Sequence, residues 1–86
     1  MKYRKKPVEV EALIFTDDPH RLMHLQEFMG ADTLRVSYKD MNNPKLIIPT
    51  LGGSIEASVG DYIVKDVNGE FYPYNPDIFD KIFEQV

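Results

Sequence analysis

The sequence contains no cysteine among its 86 residues, so it has no disulfides, no thiolate metal ligands and no cysteine nucleophile. Long apolar runs are also missing. The longest is Ala12–Phe15, whereas a membrane-spanning helix needs about 20 apolar residues. Glu9 and Glu11 interrupt the segment that follows the basic N-terminus, which argues against a secretory signal. We therefore expect a cytosolic protein that does not act in a membrane.

The length and the 43% apolar composition predict one folded domain over residues 1–86. A domain of this size hides only roughly 60–65% of the surface that its unfolded chain exposes, so its core is small. Association into a homodimer would add stability, and the sequence leaves that open.

Charge is distributed unevenly along the chain. Residues 1–6 carry four of the ten basic residues and none of the 14 acidic ones, which leaves a net charge of −8 on the rest. Such an acidic body repels a phosphate backbone and argues against nucleic-acid binding. It suits a basic protein surface instead. We interpret residues 1–6 as a basic head that is solvated and partly ordered, with contact to nucleic acid or to an acidic protein through this head as the alternative.

Hydrophobic periodicity predicts the order strand, helix, strand, hairpin, hairpin, helix. We expect an α+β fold, with a small, mostly antiparallel sheet of about five or six strands and two hairpins. One helix follows the first strand, after an Asp18 N-cap and before Gly30, and a short C-terminal helix follows an Asn75 N-cap. The predicted strands cover 8–15, 33–39, 45–50, 54–58, 62–67 and 70–72.

Two local signals predict strand pairing. Pro49 has no N–H to donate, so its strand is expected at a sheet edge or at a bulge. Asn68-Gly69 favours a two-residue hairpin loop. That loop would place Val67 opposite Glu70, Asp66 opposite Phe71 and Lys65 opposite Tyr72.

No residue pattern in the sequence indicates catalysis. His20 and His24 lie four residues apart on the first predicted helix, the spacing of a zinc-binding pair, but no third ligand accompanies them. The carboxylates near the turns, such as Asp61, are typical of turn residues, and Gly52-Gly53 lacks the lysine of a phosphate loop. We therefore predict no enzyme activity, no cofactor and no metal site.

The most informative feature is an aromatic-rich C-terminal quarter. Six of the ten aromatic residues fall within residues 62–83. One interpretation is that they form the core and its rim. The other is a protein-binding surface, because tyrosine is enriched at binding hot spots. The residues of that surface would be Tyr62, Lys65, Glu70, Tyr72 and Tyr74.

Three segments resemble a family of small phage and prophage proteins: Lys5–Ala12, Ile48–Gly53, and Gly60–Pro73 running into Pro76–Phe79. The family pattern starts with KKPVxVEA and ends with a GDYIVKxVNGEFYPxxPDIF block. The resemblance implies an accessory gene product in the cytoplasm of a bacterial host. It implies no catalytic residue.

The leading hypothesis is a non-enzymatic phage or prophage protein that binds and masks a host protein, as host-takeover and anti-defence inhibitors do. One alternative is a protein that sequesters a small signalling nucleotide, although clustered cations for the phosphates are lacking. Another alternative is a minor virion or assembly component.

Overall fold

The computed structural model describes residues 1–2, 9–30 and 34–83. Two helices and six strands lie in these ranges. The helices are α1 (Pro19–Met29) and α2 (Pro76–Ile82). The strands are β1 (Glu11–Ile14), β2 (Arg35–Ser37), β3 (Lys45–Thr50), β4 (Gly53–Ser58), β5 (Tyr62–Lys65) and β6 (Phe71–Tyr74).

The six strands form two antiparallel sheets of three strands each. In the first sheet the order is β1-β5-β6, so the first strand pairs with a strand from the second half of the chain. In the second sheet the order is β2-β3-β4, and all pairing is between neighbours along the chain. The α+β fold, the two hairpins, the helix after the first strand and the short C-terminal helix are confirmed.

The main core lies where α1 meets the inner faces of both sheets. Its fully buried side chains come from the end of β1, from α1 and from β3, β4 and β5. Side chains alternate between the two faces of a strand. Residues 46 and 48 of β3 and their partners 57 and 55 of β4 therefore share one face, which points towards the core. The buried residues of this core are Phe15, Leu25, Leu46, Ile48, Ala57 and Ile63.

Helix α1 begins and ends where the sequence predicts. The Asp18 carboxylate accepts a hydrogen bond from the Arg21 N–H at 2.9 Å, and Pro19 occupies the first turn. Hydrogen bonds from the Thr16 hydroxyl and the Arg21 N–H hold the pKa of Asp18 below its usual value. Gly30 ends the helix at a φ of 63°, a conformation that glycine adopts without steric cost.

The edge position predicted for the Pro49 strand is wrong, because β3 is the middle strand of its sheet. Proline lies there beyond the part of β3 that the described residues of β2 cover. Among the described residues, β2 pairs with Lys45–Ile47, whereas Pro49 lies two residues further along and pairs with Ser54 of β4. The missing N–H of Pro49 therefore removes no bond from the part of the β2–β3 ladder that the structure describes.

The hairpin between β5 and β6 differs from the prediction by one residue. Lys65 lies opposite Phe71, and the Asp66 N–H donates to the Glu70 carbonyl, so residues 67–69 form a loop of three residues rather than two. The Asp66 carboxylate accepts hydrogen bonds from the N–H groups of Asn68 (2.8 Å) and Glu70 (2.9 Å).

These two bonds favour a turn that starts at Asp66 and ends in Gly69, whose φ is 81°. The Asp66 backbone also pairs with Glu70 and closes the loop.

A turn over Ser58–Asp61 connects the two sheets. The Asp61 N–H donates to the Ser58 carbonyl, and the Asp61 carboxylate accepts from the Ser58 N–H. Phe15 ties this turn to the first strand, since its N–H donates to the Asp61 carbonyl and its carbonyl accepts from the Gly60 N–H, both at 2.8 Å. The junction between the sheets is thus hydrogen-bonded to the start of the core.

Some predictions fall on residues outside the described ranges. They are most of the basic head, Val8 in the first predicted strand and Thr33 in the second. Within the described ranges, the first strand starts at Glu11 and the second is limited to Arg35–Ser37.

Candidate functional site

The structure brings the three tyrosines of the predicted binding surface to one face of the first sheet. Tyr62 lies directly opposite Tyr74, and Val64 lies opposite Tyr72. Residues directly opposite each other in an antiparallel pair share a face. Ile63, which lies between Tyr62 and Val64 on β5, belongs to the main core. Because side chains alternate between the two faces of a strand, Tyr62, Tyr72 and Tyr74 point away from the main core.

Phe79 of α2 and Phe83, which directly follows the helix, pack on these tyrosines. The Phe79 ring stacks on Tyr62 with a centroid distance of 4.0 Å, and the Phe83 ring meets Tyr74 edge to face at 5.5 Å. Phe79 and Phe83 also contact each other, at 5.0 Å. We call the surface formed by these five aromatic residues the tyrosine face. Its members are Tyr62, Tyr72, Tyr74, Phe79 and Phe83.

A second, smaller apolar cluster lies beneath the tyrosine face. Val64 is 3% exposed, yet it is separate from the main core cluster. Ala12 and Ile14 of β1 pair with Val64 and Tyr62, so they lie on the same face and are half-buried. The aromatic rings thus have a structural role, because they shield Val64 from water.

Glu70 joins the tyrosine face through a hydrogen bond. The Tyr72 hydroxyl donates to the Glu70 carboxylate at 2.5 Å. This bond is the main reason that the pKa of Tyr72 is raised above its usual value, and partial burial and the negative charge of Glu70 add to it. The hydrogen bond to Glu70 also fixes the orientation of the Tyr72 hydroxyl.

Lys65 is not brought together with the tyrosines. It lies opposite Phe71, on the other face of the first sheet, and it is exposed to solvent. The predicted register would have placed Lys65 beside Tyr72 and moved Tyr62 to the far side. A shift of one residue exchanges the two faces of a strand. In the observed register Tyr62, rather than Lys65, therefore shares a face with Tyr72 and Tyr74.

Two isoleucines of α2 are more exposed than the sequence suggests. The spacing of the apolar residues at 78, 79, 82 and 83 predicts one apolar stripe on the helix, yet Ile78 is 50% exposed and Ile82 is 58% exposed. Successive helical residues are about 100° apart, so a helix that points Phe79 and Phe83 at the sheet turns Ile78 and Ile82 aside. Their exposure beside the tyrosine face is the feature that sequence periodicity missed.

The histidine pair on α1 is placed as the helical spacing predicts. The rings of His20 and His24 stack with centroids 6.0 Å apart, and both residues are exposed. In the parts of the chain that the structure describes, no group of three metal-ligating side chains is found. Asp17 accepts a hydrogen bond at 2.8 Å from the Tyr38 hydroxyl, which raises the pKa of Tyr38.

A polar cavity of about 330 Å³ lies beside the loop between β2 and β3. Lys39 and Lys45 line it together with Asp40 and Glu56, so the charges around it balance. Lys45 also donates a hydrogen bond to the Ser58 hydroxyl at 2.6 Å. The cavity therefore lacks the clustered positive charge that a nucleotide phosphate requires.

Comparison with protein-family models, with curated proteins and with solved structures finds no match to this chain. Neither helix in the described ranges has the length and apolar character that crossing a bilayer requires.

Proposed function

We propose that this chain is a non-enzymatic accessory protein of a phage or prophage, which binds and masks a protein in the cytoplasm of its bacterial host. The observation that supports this proposal is the tyrosine face, with the half-exposed Ile78 and Ile82 beside it. The resemblance of the Gly60–Pro73 segment to phage and prophage proteins supplies the biological context.

The tyrosine face has the chemistry of a binding surface. Tyrosine offers a large contact area and a hydroxyl at a small cost in side-chain entropy, and it is enriched at hot spots. Stacking with Phe79 fixes the ring of Tyr62, and the bond to Glu70 fixes that of Tyr72. These rings are ordered before binding, which lowers the entropic cost of association.

The charges near this surface indicate the chemistry of the partner. Asp77, Asp80 and Lys81 are exposed on α2, and Glu70 lies at the end of the loop that precedes β6, so these four groups carry a net negative charge. A basic protein surface with apolar residues at its centre complements this arrangement, since its cations pair with the carboxylates and its apolar residues cover Ile78 and Ile82.

The experiment is affinity capture from a lysate of the bacterial host, followed by reconstitution with the purified captured protein. The test variant is Ile78→Ser with Ile82→Ser, which removes exposed apolar area without touching the stacked rings. The matched control is Met23→Ser with Leu51→Ser, at apolar positions that are 60% and 96% exposed elsewhere on the molecule.

We expect the wild-type chain and the control variant to capture the same host protein in a 1:1 complex and to inhibit its activity. The test variant should bind at least about tenfold more weakly, because two half-exposed isoleucines would lose contact with the partner. The absence of any partner at micromolar concentration contradicts the proposal, as does equal binding by the test variant. Recovery of the chain in purified phage particles would favour the virion alternative.

A further inference from the structure

A second cavity lies on the opposite side of β6 from the tyrosine face. Its volume is about 290 Å³, close to the lower end of the range for small-molecule sites. The cavity forms where the end of α1 and strand β6 meet the second sheet. The lining residues are Met29, Leu34, Arg35, Ile47, Pro49, Ser54 and Phe71.

Apolar side chains form most of the wall. Phe71 is held by an edge-to-face contact with Phe28, at a centroid distance of 5.4 Å and an interplanar angle of 71°. Ile47 lies on the outer face of β3, where it pairs with Arg35 of β2. The cavity therefore suits a small apolar group, such as one aromatic ring or a short branched chain.

Arg35 is the only charged side chain among the described residues that line the cavity. It forms no ion pair with the carboxylates of the described ranges. A guanidinium beside an apolar cavity fits a carboxylate well, because its planar N–H groups can donate two parallel hydrogen bonds. Ser54, at the same cavity, adds a hydroxyl that can donate to a carboxylate oxygen.

We propose that this cavity binds a small organic acid. The aromatic or branched aliphatic group of the acid lies between Phe71, Ile47 and Met29, and its carboxylate pairs with Arg35. This site is independent of the masking function, because Phe71 and Tyr72 point to opposite faces of the first sheet.

The test is an NMR titration of the ¹⁵N-labelled full chain with 3-phenylpropionate. We expect saturable shifts at the backbone amides of Arg35, Ile47 and Phe71, with a Kd of about 0.1–1 mM for a ligand of this size. The neutral 3-phenylpropionamide tests the contribution of the charge, and acetate tests that of the ring. Each should bind at least about tenfold more weakly than 3-phenylpropionate.

The variant Arg35→Gln should weaken binding of 3-phenylpropionate about tenfold and leave binding of the amide unchanged. Arg21→Gln is the matched control, since Arg21 lies eight residues before Met29 on α1, about 12 Å along the helix axis. Both variants should keep the wild-type dispersion of amide signals.

Three results would overturn the proposal. They are equal binding of the acid and its amide, unchanged binding by Arg35→Gln, and shifts that map away from the cavity.

Discussion

The rings of Tyr62 and Phe79 lie parallel, 4.0 Å apart between centroids and 8° apart in orientation. Tyr62 belongs to β5 and Phe79 to α2, so this stack joins the C-terminal helix to the first sheet. No residue of α2 is fully buried. Attachment of the helix therefore depends on Phe79, with Phe83 as the second contact.

Replacement of Phe79 by alanine should detach α2 from the sheet. We expect Phe79→Ala to lower the free energy of unfolding by about 1.5–3 kcal/mol, since a half-buried ring and its aromatic partner are lost. Urea denaturation followed by far-UV circular dichroism measures the change. The control is Ile78→Ala, which should cost about 0.5 kcal/mol because Ile78 is half-exposed. Equal losses from the two variants would contradict the role given to the stack.

Substitutions of Asp66 should show how its carboxylate sets the β5–β6 hairpin. We expect Asp66→Ala to cost about 1–2 kcal/mol, because the N–H groups of Asn68 and Glu70 lose their acceptor. Asp66→Asn keeps an acceptor oxygen in the same position and should cost about 0.5 kcal/mol. Thermal denaturation compares the two variants. An asparagine variant as unstable as the alanine variant would show that the carboxylate oxygens do not hold the loop.

Tyr72 should titrate at a higher pH than an unperturbed tyrosine, because its hydroxyl donates to Glu70. The raised pKa means that the folded state holds this proton more tightly than the unfolded state. The resulting stabilisation is complete below a pH of about 10 and is lost as the pH rises through the folded-state pKa.

Absorbance at 295 nm reports tyrosine ionisation, and subtraction of a Tyr72→Phe titration isolates the signal of Tyr72. In Glu70→Gln the negative charge is gone, so the pKa of Tyr72 should move down towards its usual value. A Tyr72 signal that is the same in the wild type and in Glu70→Gln would mean that Glu70 is not the cause.

The starts of both helices and the end of α1 were predictable from the sequence because they depend on neighbouring residues. The helix caps at Asp18, Gly30 and Asn75 form through local interactions and do not depend on contacts distant in sequence. The order of the strands in each sheet was harder to predict from the sequence, because it depends on residues that are far apart along the chain. The central position of β3 follows from pairing with β2, and no local signal at Pro49 shows which residues of β3 pair with β2.

The candidate site was only partly predictable for a similar reason. Alternation places Tyr72 and Tyr74 on one face, but whether Tyr62 or Lys65 joins them depends on the loop. Asn68-Gly69 favours two residues, and the carboxylate of Asp66 changes the loop to three. The turn preference of Asn68-Gly69 and the hydrogen bonds of the Asp66 carboxylate differ little in energy. The sequence pattern does not show which of the two is larger.

The pairing of β1 with β5 also affects how the chain can fold during translation. Strands β2, β3 and β4 follow one another, so their ladders can close as soon as residue 58 has left the ribosome. Strand β1 is synthesised first, yet its partner is more than 45 residues away. The nascent chain must therefore carry an unpaired N-terminal strand until β5 emerges, and the closure of this long loop is the slow, non-local step of folding.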